Sequence, residues 1–369
     1  MKRHLIRFSK LAFILSLTYV IILIGGFFGV RYGLTNTAGV VDQENQIFDQ
    51  SEKYLQSVEK DNFPVEKAEV AQLQKKNFCQ IDAVGAFYPL NAKSILSGYM
   101  MTSNDIVTAK MILAVKLRFL DNGDFIKRFE ACEKDSGNYN ISGLENKCGN
   151  AEGINVFPWM NDDVWSSIKD ATKKDSSAIA KASKIVGVEP RLLVACMIVE
   201  QLRLFHSEWE MFKKFFEPLK ILGNANKISL GVMGIKEATA AQIKNHLKDP
   251  NSEYYLGKNY ENILDNLNGS VYDQLTSEND GHYASYLYGA LYLKEIMTQW
   301  TQAGYNIQYR PEIVGTLFNV GFPQSKPNPN PKVGGSAINV GDAKYSFGSL
   351  SYEFYYSGEM LDDFPYITN

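Results

Sequence analysis

VEPRLLVACMIVEQLRLF, residues 188–205, decides how the second half of the chain is read. Pro190 stands where the first turn of a helix accepts proline, because its missing N–H would have no intrahelical partner there. From Leu192 to Val199 no charged or strongly polar side chain interrupts the run. A helix over Arg191–Phe205 is therefore apolar on nearly every face and belongs in a core. Glu200 ends the run as its only carboxylate. A carboxyl that has lost its water holds its proton more tightly, which suits it to general acid work near neutral pH. The competing reading is a surface glutamate paired with Arg203 at i+3.

On the N-terminal side, Pro158 and Asn161-Asp162-Asp163 mark a boundary, with Asp162 or Asp163 placed to cap a helix from about Val164. A second helix over Ser176–Val186 is stopped by Gly187. On the C-terminal side comes SLGVMGIKEATA, residues 229–240. Its two glycines allow close backbone approach, Met233 offers an adaptable apolar surface, and Thr239-Ala240 lead into a helix to His246. A polar segment over 249–281 follows. Helices are expected over Tyr283–Trp300, which contains YGALYLKEI (288–296), and over Pro311–Phe318, which runs into TLFNVG (316–321). NVGFPQSKPNPNPKVGG (319–335) is a loop by its Pro and Gly content. YSFGSLSYEFYYSGEMLDD (345–363) closes the chain with a short aromatic helix, and Tyr355 and Tyr356 are candidates to flank a groove. Tyr283, Tyr286, Tyr288 and Tyr292 recur at helical spacing, either as core or as rings lining a sugar groove.

The four pieces at 188–201, 229–240, 288–296 and 316–321 resemble, in this order, the lytic transglycosylase and goose-type lysozyme group of the lysozyme-like superfamily. Members carry an apolar helix ending in a catalytic Glu followed by Ser. A loop of the form S-x-G-L-M-Q-I-x-P-x-T-A comes next, then a helix of the form G-A-x-Y-L, then A-Y-N-A-G. The resemblance implies a lysozyme-like α-helical catalytic domain over 159–369, with Glu200 catalytic. Ser229, Gly231, Met233, Gly234, Tyr286, Phe318 and Asn319 would lie at the substrate. It implies cleavage of the MurNAc–GlcNAc bond of peptidoglycan glycan strands by one carboxyl acting as acid and then base, without a cofactor. Attack by water in place of the C6 hydroxyl would make the product that of a muramidase. This chain departs from the pattern at three places: Gln201 replaces the Ser, Gly234 the Gln and Phe318 the Tyr. These departures motivate a third alternative, a non-catalytic glycan-binding scaffold on the same fold. Glu208, Glu210 and Glu217 could add a second carboxylate but are explained more simply as solvated charges.

The first half carries less chemistry. Residues 11–30, LAFILSLTYVIILIGGFFGV, are uncharged and long enough to span a bilayer as a helix. Lys2, Arg3, Arg7 and Lys10 before the run place the 1–10 tail in the cytoplasm and the remainder outside, on the periplasmic or cell-wall side of the cell membrane. A cleaved signal peptide is the competing reading. Residues 31–76 read as a helical or partly flexible stalk or linker, with any continuous helix broken at Pro64. Residues 77–158 read as a small helical accessory domain, a candidate surface for cell-envelope protein partners. In it Asn104 or its neighbours cap a helix from Ile106, and a short helix runs from Phe125 to Cys132. The whole is thus expected to be mainly α.

An extracytoplasmic setting permits disulfides, and Cys132 and Cys148 bracket a polar loop whose closure would stabilise by roughly 3 kcal/mol. The four cysteines allow three pairings. Cys196, inside the apolar run, is expected to be a buried free thiol. No Cys or His pair has zinc-ligand spacing, so no metal site is expected. A formal net charge of −3 gives no basic excess for nucleic acid.

Overall fold

The computed structural model describes residues 10, 13–22, 24–25, 48–53, 67–135, 137–158, 160–205, 229–278, 280–340 and 343–367, which are mainly α-helical. Of the expected membrane span over 11–30, residues 13–22 and 24–25 are helical and exposed, and the remainder lies outside the described residues. Among the described residues no helix is long and apolar enough to cross a membrane.

The first unit is built from α1 (Lys67–Phe87), α2 (Pro89–Thr102), α3 (Asp105–Arg118), α4 (Gly123–Ala131) and α5 (Ile141–Cys148). Asn104 starts α3 by accepting from the backbone N–H of Ile106 and Val107. Asn122 does the same for α4 through Phe125 N–H. The boundary expected at 76/77 falls inside α1, whose first ten residues belong to the expected stalk. Residues 48–53 of that stalk also form a helix on the body. Phe48 is buried edge-on against Tyr352 at 5.0 Å between centroids, and Asp49 meets Lys332.

The second unit comprises α6 (Asp162–Lys174), α7 (Ser176–Val186), α8 (Pro190–Phe205), the hairpin β1 (Ser229–Leu230)–β2 (Ile235–Lys236), α9 (Glu237–Lys248), α10 (Val271–Thr276), α11 (Tyr283–Gln302), α12 (Pro311–Val320), the hairpin β3 (Ala337–Val340)–β4 (Ala343–Ser346) and α13 (Phe347–Tyr355). The cap of α6 is Asn161, one residue before the expected aspartates; its side chain accepts from Asp163 and Val164 N–H, and the aspartates fill the first turn instead. Gly187 ends α7 at φ 72, a left-handed position a glycine takes without steric cost. Burial of 192–199 on all sides makes α8 the central element, each aliphatic side chain contributing about 1.5–3 kcal/mol.

One charge in that helix is fully buried and structural. Arg191 donates from Nε to the Tyr355 carbonyl at 2.7 Å and from Nη1 to the carbonyls of Glu359 and Phe364, each at 2.9 Å. Its plane also faces the rings of Phe354, Tyr355 and Tyr366. A planar five-donor guanidinium fits this task where a lysine ammonium would not. The C-terminal segment is thereby locked onto the start of α8. Tyr355 donates to Glu189 at 2.6 Å, and with Tyr356 it is buried in this anchor, not at a groove.

The two units share one hydrophobic core. Arg118 of α3 meets Glu353 of α13 at 3.1 Å with both side chains buried, and Tyr352 donates to the Lys110 carbonyl at 3.2 Å. The expected Cys132–Cys148 pairing is overturned. The disulfide joins Cys79 on α1 to Cys132, with Cα atoms 5.7 Å apart. Packing of α4 on α1 brings those two together, whereas α5 directs Cys148 onto Gly85 and leaves it a buried free thiol. Cys196 is the other buried free cysteine.

Candidate active site around Glu200

Glu200 lies at the end of the buried face of α8 and is 3% exposed. The β1–β2 hairpin passes over it. Ser229 pairs with Lys236 and Leu230 with Ile235, and residues 231–234 form the connecting turn, closed by a Gly234 N–H to Gly231 carbonyl bond of 3.1 Å. Gly231 and Gly234 sit at φ 64 and 60, so the turn is left-handed at both ends. The Gly234 position faces the Glu200 side chain so closely that a Cβ there would overlap its carboxyl and its Cγ. At Gly231 a Cβ would strike the Leu275 carbonyl. Each glycine therefore serves both the turn and a close approach.

Several contacts hold the hairpin on the helices. Gln201, in the place of the expected Ser, donates to the Val232 carbonyl at 2.7 Å. Met233 is fully buried; its backbone N–H donates to Ser285 Oγ at 3.3 Å, and its side chain fills the space a Cβ on Gly289 would take. The spacing of GALYL on α11 thus serves to receive Met233.

Arg203 also meets Glu200. Its Nε donates to Glu200 Oε2 at 3.1 Å, and its Nη2 pairs with Oε1. The i+3 pairing raised as a competing reading is thus present, yet not as a surface pair, because Glu200 is desolvated. Arg203 is about 30% exposed. Burial works against its charge, but the Glu200 charge and hydrogen bond outweigh it and hold the guanidinium above its usual range. One turn back, burial and then the Glu200 charge push the Cys196 thiol well up, so it is no nucleophile.

The remaining expected site residues divide. Phe318 packs on Tyr292 at 5.2 Å between centroids. Tyr292 in turn is buried and lies near Cys196 in the middle of α8, and both α11 and α12 pack on that helix. Asn319 accepts from Ser336 N–H at 2.6 Å and braces the loop that returns along α12. Tyr286 is not brought to Glu200. It is 1% exposed in the α7–α11 interface and donates to Asp175 at 3.0 Å, beside the His282 Nδ1 to Asp175 contact of 2.7 Å. Its helical spacing could not distinguish these two faces. Ser229 is placed through its backbone in β1. Glu208, Glu210 and Glu217 lie outside the described residues. Arg203 and Gln201 are the neighbours that motif reading undervalued; the i+3 spacing was the available signal for Arg203.

A separate cleft of about 470 Å³ is lined by His246, Glu253, Tyr254, Gln299, Phe322 and Lys326 among others, and Glu200 is not among its walls. Its polar groups satisfy one another: Gln299 donates to Glu253 at 2.8 Å and to the Tyr254 hydroxyl at 3.1 Å, and Ser325 donates to Gln299 at 2.6 Å. Beside it His246 Nδ1 lies 2.9 Å from Glu295 Oε2. Burial pushes Glu295 up to about 10 and lowers His246, so the carboxylic acid donates to a neutral ring. These groups form a closed hydrogen-bond network. Among the described residues no cluster of three His, Cys, Asp or Glu side chains is placed to hold a metal ion.

The chain matches no protein-family model, no curated protein and no solved structure.

Proposed function

We propose that the chain is a membrane-anchored, outward-facing peptidoglycan lytic transglycosylase that works through Glu200. One observation carries the reading: a single carboxyl, 3% exposed at the end of an apolar helix, is covered by the Gly231–Gly234 turn of a short hairpin. That juxtaposition is what the motif order in the sequence implies for a lysozyme-like site. The anchor is the uncharged run over 11–30, supported by its length and its flanking cations.

In this reading Glu200 gives its proton to the glycosidic oxygen between N-acetylmuramic acid and N-acetylglucosamine, and the C1–O bond breaks. The substrate's own acetamido group stabilises the cationic sugar, so no second carboxylate is required, unlike the usual pair. Glu200 then takes the proton of the C6 hydroxyl as that oxygen bonds to C1, which gives a 1,6-anhydro end and returns the carboxyl to its starting state.

The test is mass spectrometry of intact peptidoglycan digested with the purified chain. Anhydro ends are expected, with a loss of roughly 10²–10⁴-fold in Glu200→Gln. Reducing ends would assign a muramidase instead. A second reading, a glycan-binding scaffold, is favoured by the Arg203 pair on Glu200 and by Phe318, which lacks a hydroxyl. It predicts sacculus binding without release of ends and no change in Glu200→Gln.

A further inference from the structure

Residues 48–53, FDQSEK, form a short helix that precedes both units in the sequence yet is fixed to each of them in space. Phe48 is 2% exposed and belongs to the shared core, edge-on to Tyr352 of α13 at 5.0 Å between ring centroids. Asp49 meets Lys332 at 3.3 Å, on the loop that follows α12. Glu52 meets Lys110 of α3 at 3.7 Å, and that lysine is largely buried. Arg310 feels the same two acids. Burial works against its charge, but the charges of Glu312, then Glu52, and further Asp49 hold it above its usual range. The helix thus carries two carboxylates onto three cations of the body, with one buried ring as its grip. The ring supplies most of the hold, because burial of apolar surface is the larger effect and partly exposed ion pairs fix register more than they add strength.

The place of this helix in the chain has a mechanical consequence. The uncharged run proposed as the anchor ends at Val30. A body held at Phe48 is tethered through residues 31–47, which cannot reach beyond about 60 Å. A body held only from Lys67, the start of α1, would be tethered through residues 31–66 and could reach about 125 Å.

We propose that residues 48–53 are a strap that shortens the tether by about half and confines the body, with Glu200, to the glycan nearest the membrane. The inference rests on the anchor in the proposed reading and not on the chemistry of Glu200.

The experiment places the full chain in vesicles of phosphatidylethanolamine and phosphatidylglycerol that carry an acceptor dye on their headgroups. A donor dye is attached at Gln302→Cys, at the exposed end of α11. Cys148 and Cys196 are buried and Cys79 is bridged to Cys132, so the dye goes to one position. A Gly/Ser insertion between Val40 and Val41 lengthens the tether, and energy transfer is expected to fall. The same insertion between Lys60 and Asp61 lies behind the strap and is expected to leave transfer unchanged. In Phe48→Asp both insertions lower it. Equal falls with the two insertions in the otherwise wild-type chain overturn the strap, and so does no fall with either. An insertion behind the strap that stays silent in Phe48→Asp overturns Phe48 as the grip. A second readout needs neither membrane nor variant: a carbodiimide, which joins acids and amines in contact, should link Asp49 to Lys332 in a peptide found by mass spectrometry. No such link overturns the docking. A link in a chain that fails to enter vesicles overturns the anchor, and the tether with it, while leaving the docking and the reading of Glu200 intact.

Discussion

The Glu200 side chain occupies the space that a Cβ on Gly234 would fill. A side chain at position 234 would overlap the buried carboxyl, and the left-handed φ of 60 there favours glycine as well.

Gly234→Ala is expected to displace Glu200 and to destabilise the fold. A left-handed φ of 60 alone costs an alanine about 1–2 kcal/mol, and the overlap with the carboxyl adds to it. Gly304→Ala is the control, since Gly304 has φ 89 and nothing within 4 Å of its Cβ position. Urea midpoints of the two variants compare strain with and without the overlap. Equal midpoints would mean that Glu200 does not rest on residue 234.

Glu353→Ala removes the partner of Arg118, a buried guanidinium 3.1 Å away. Stranding a buried charge costs about 3–5 kcal/mol. Because the core runs through both units, residues 77–158 and 159–369 should unfold in one transition that moves as a whole. Two separated transitions by calorimetry would show the units to be independent.

Glu295 gives a pH signature. Burial raises its carboxyl from the ordinary 4.5 to about 10, so between those values the unfolded chain has released a proton that the folded chain keeps. Its contribution to stability is complete below about 4.5 and is lost progressively as pH rises toward about 10. His246, lowered by burial from 6.5, works oppositely and only on the acid side of that value. Glu295→Gln keeps a donor for His246 Nδ1 but cannot ionise. Its urea midpoint should therefore fall less than that of wild type between about pH 7 and 9. Parallel curves for the two proteins would remove Glu295 as the cause.

Peptide mapping without reduction should recover Cys79 joined to Cys132, with Cys148 and Cys196 alkylated only after unfolding. For a sequence separation of 53, the chain-entropy model gives a stabilisation of about 4 kcal/mol, so Cys132→Ser should lower the denaturation midpoint and Cys148→Ser should not disturb the bridge. A Cys132–Cys148 peptide would contradict the fold of the first unit.

The sequence by itself determined the helices of the second half. Unbroken apolarity over 192–199, Pro190 at a first turn, Gly187 at a last one and the 3.6-residue spacing of Tyr283–Trp300 are local signals, and each governs its own segment. It also placed a lone carboxyl at the end of a buried helix. Tertiary structure decided what that carboxyl meets. The hairpin turn on Glu200, the two-point grip of Arg203, the turn of Tyr286 toward Asp175 and the choice of Cys79 over Cys148 all depend on how helices cross. The α1 helix was only partly legible for the related reason that its sequence, KAEVAQLQKKNFCQIDAVGAF, begins polar and turns apolar in its second half, and α2, α3 and α4 all pack on it. Periodicity says that a face is buried; which neighbour buries it is fixed by contacts between residues far apart in the chain, and no local pattern encodes those.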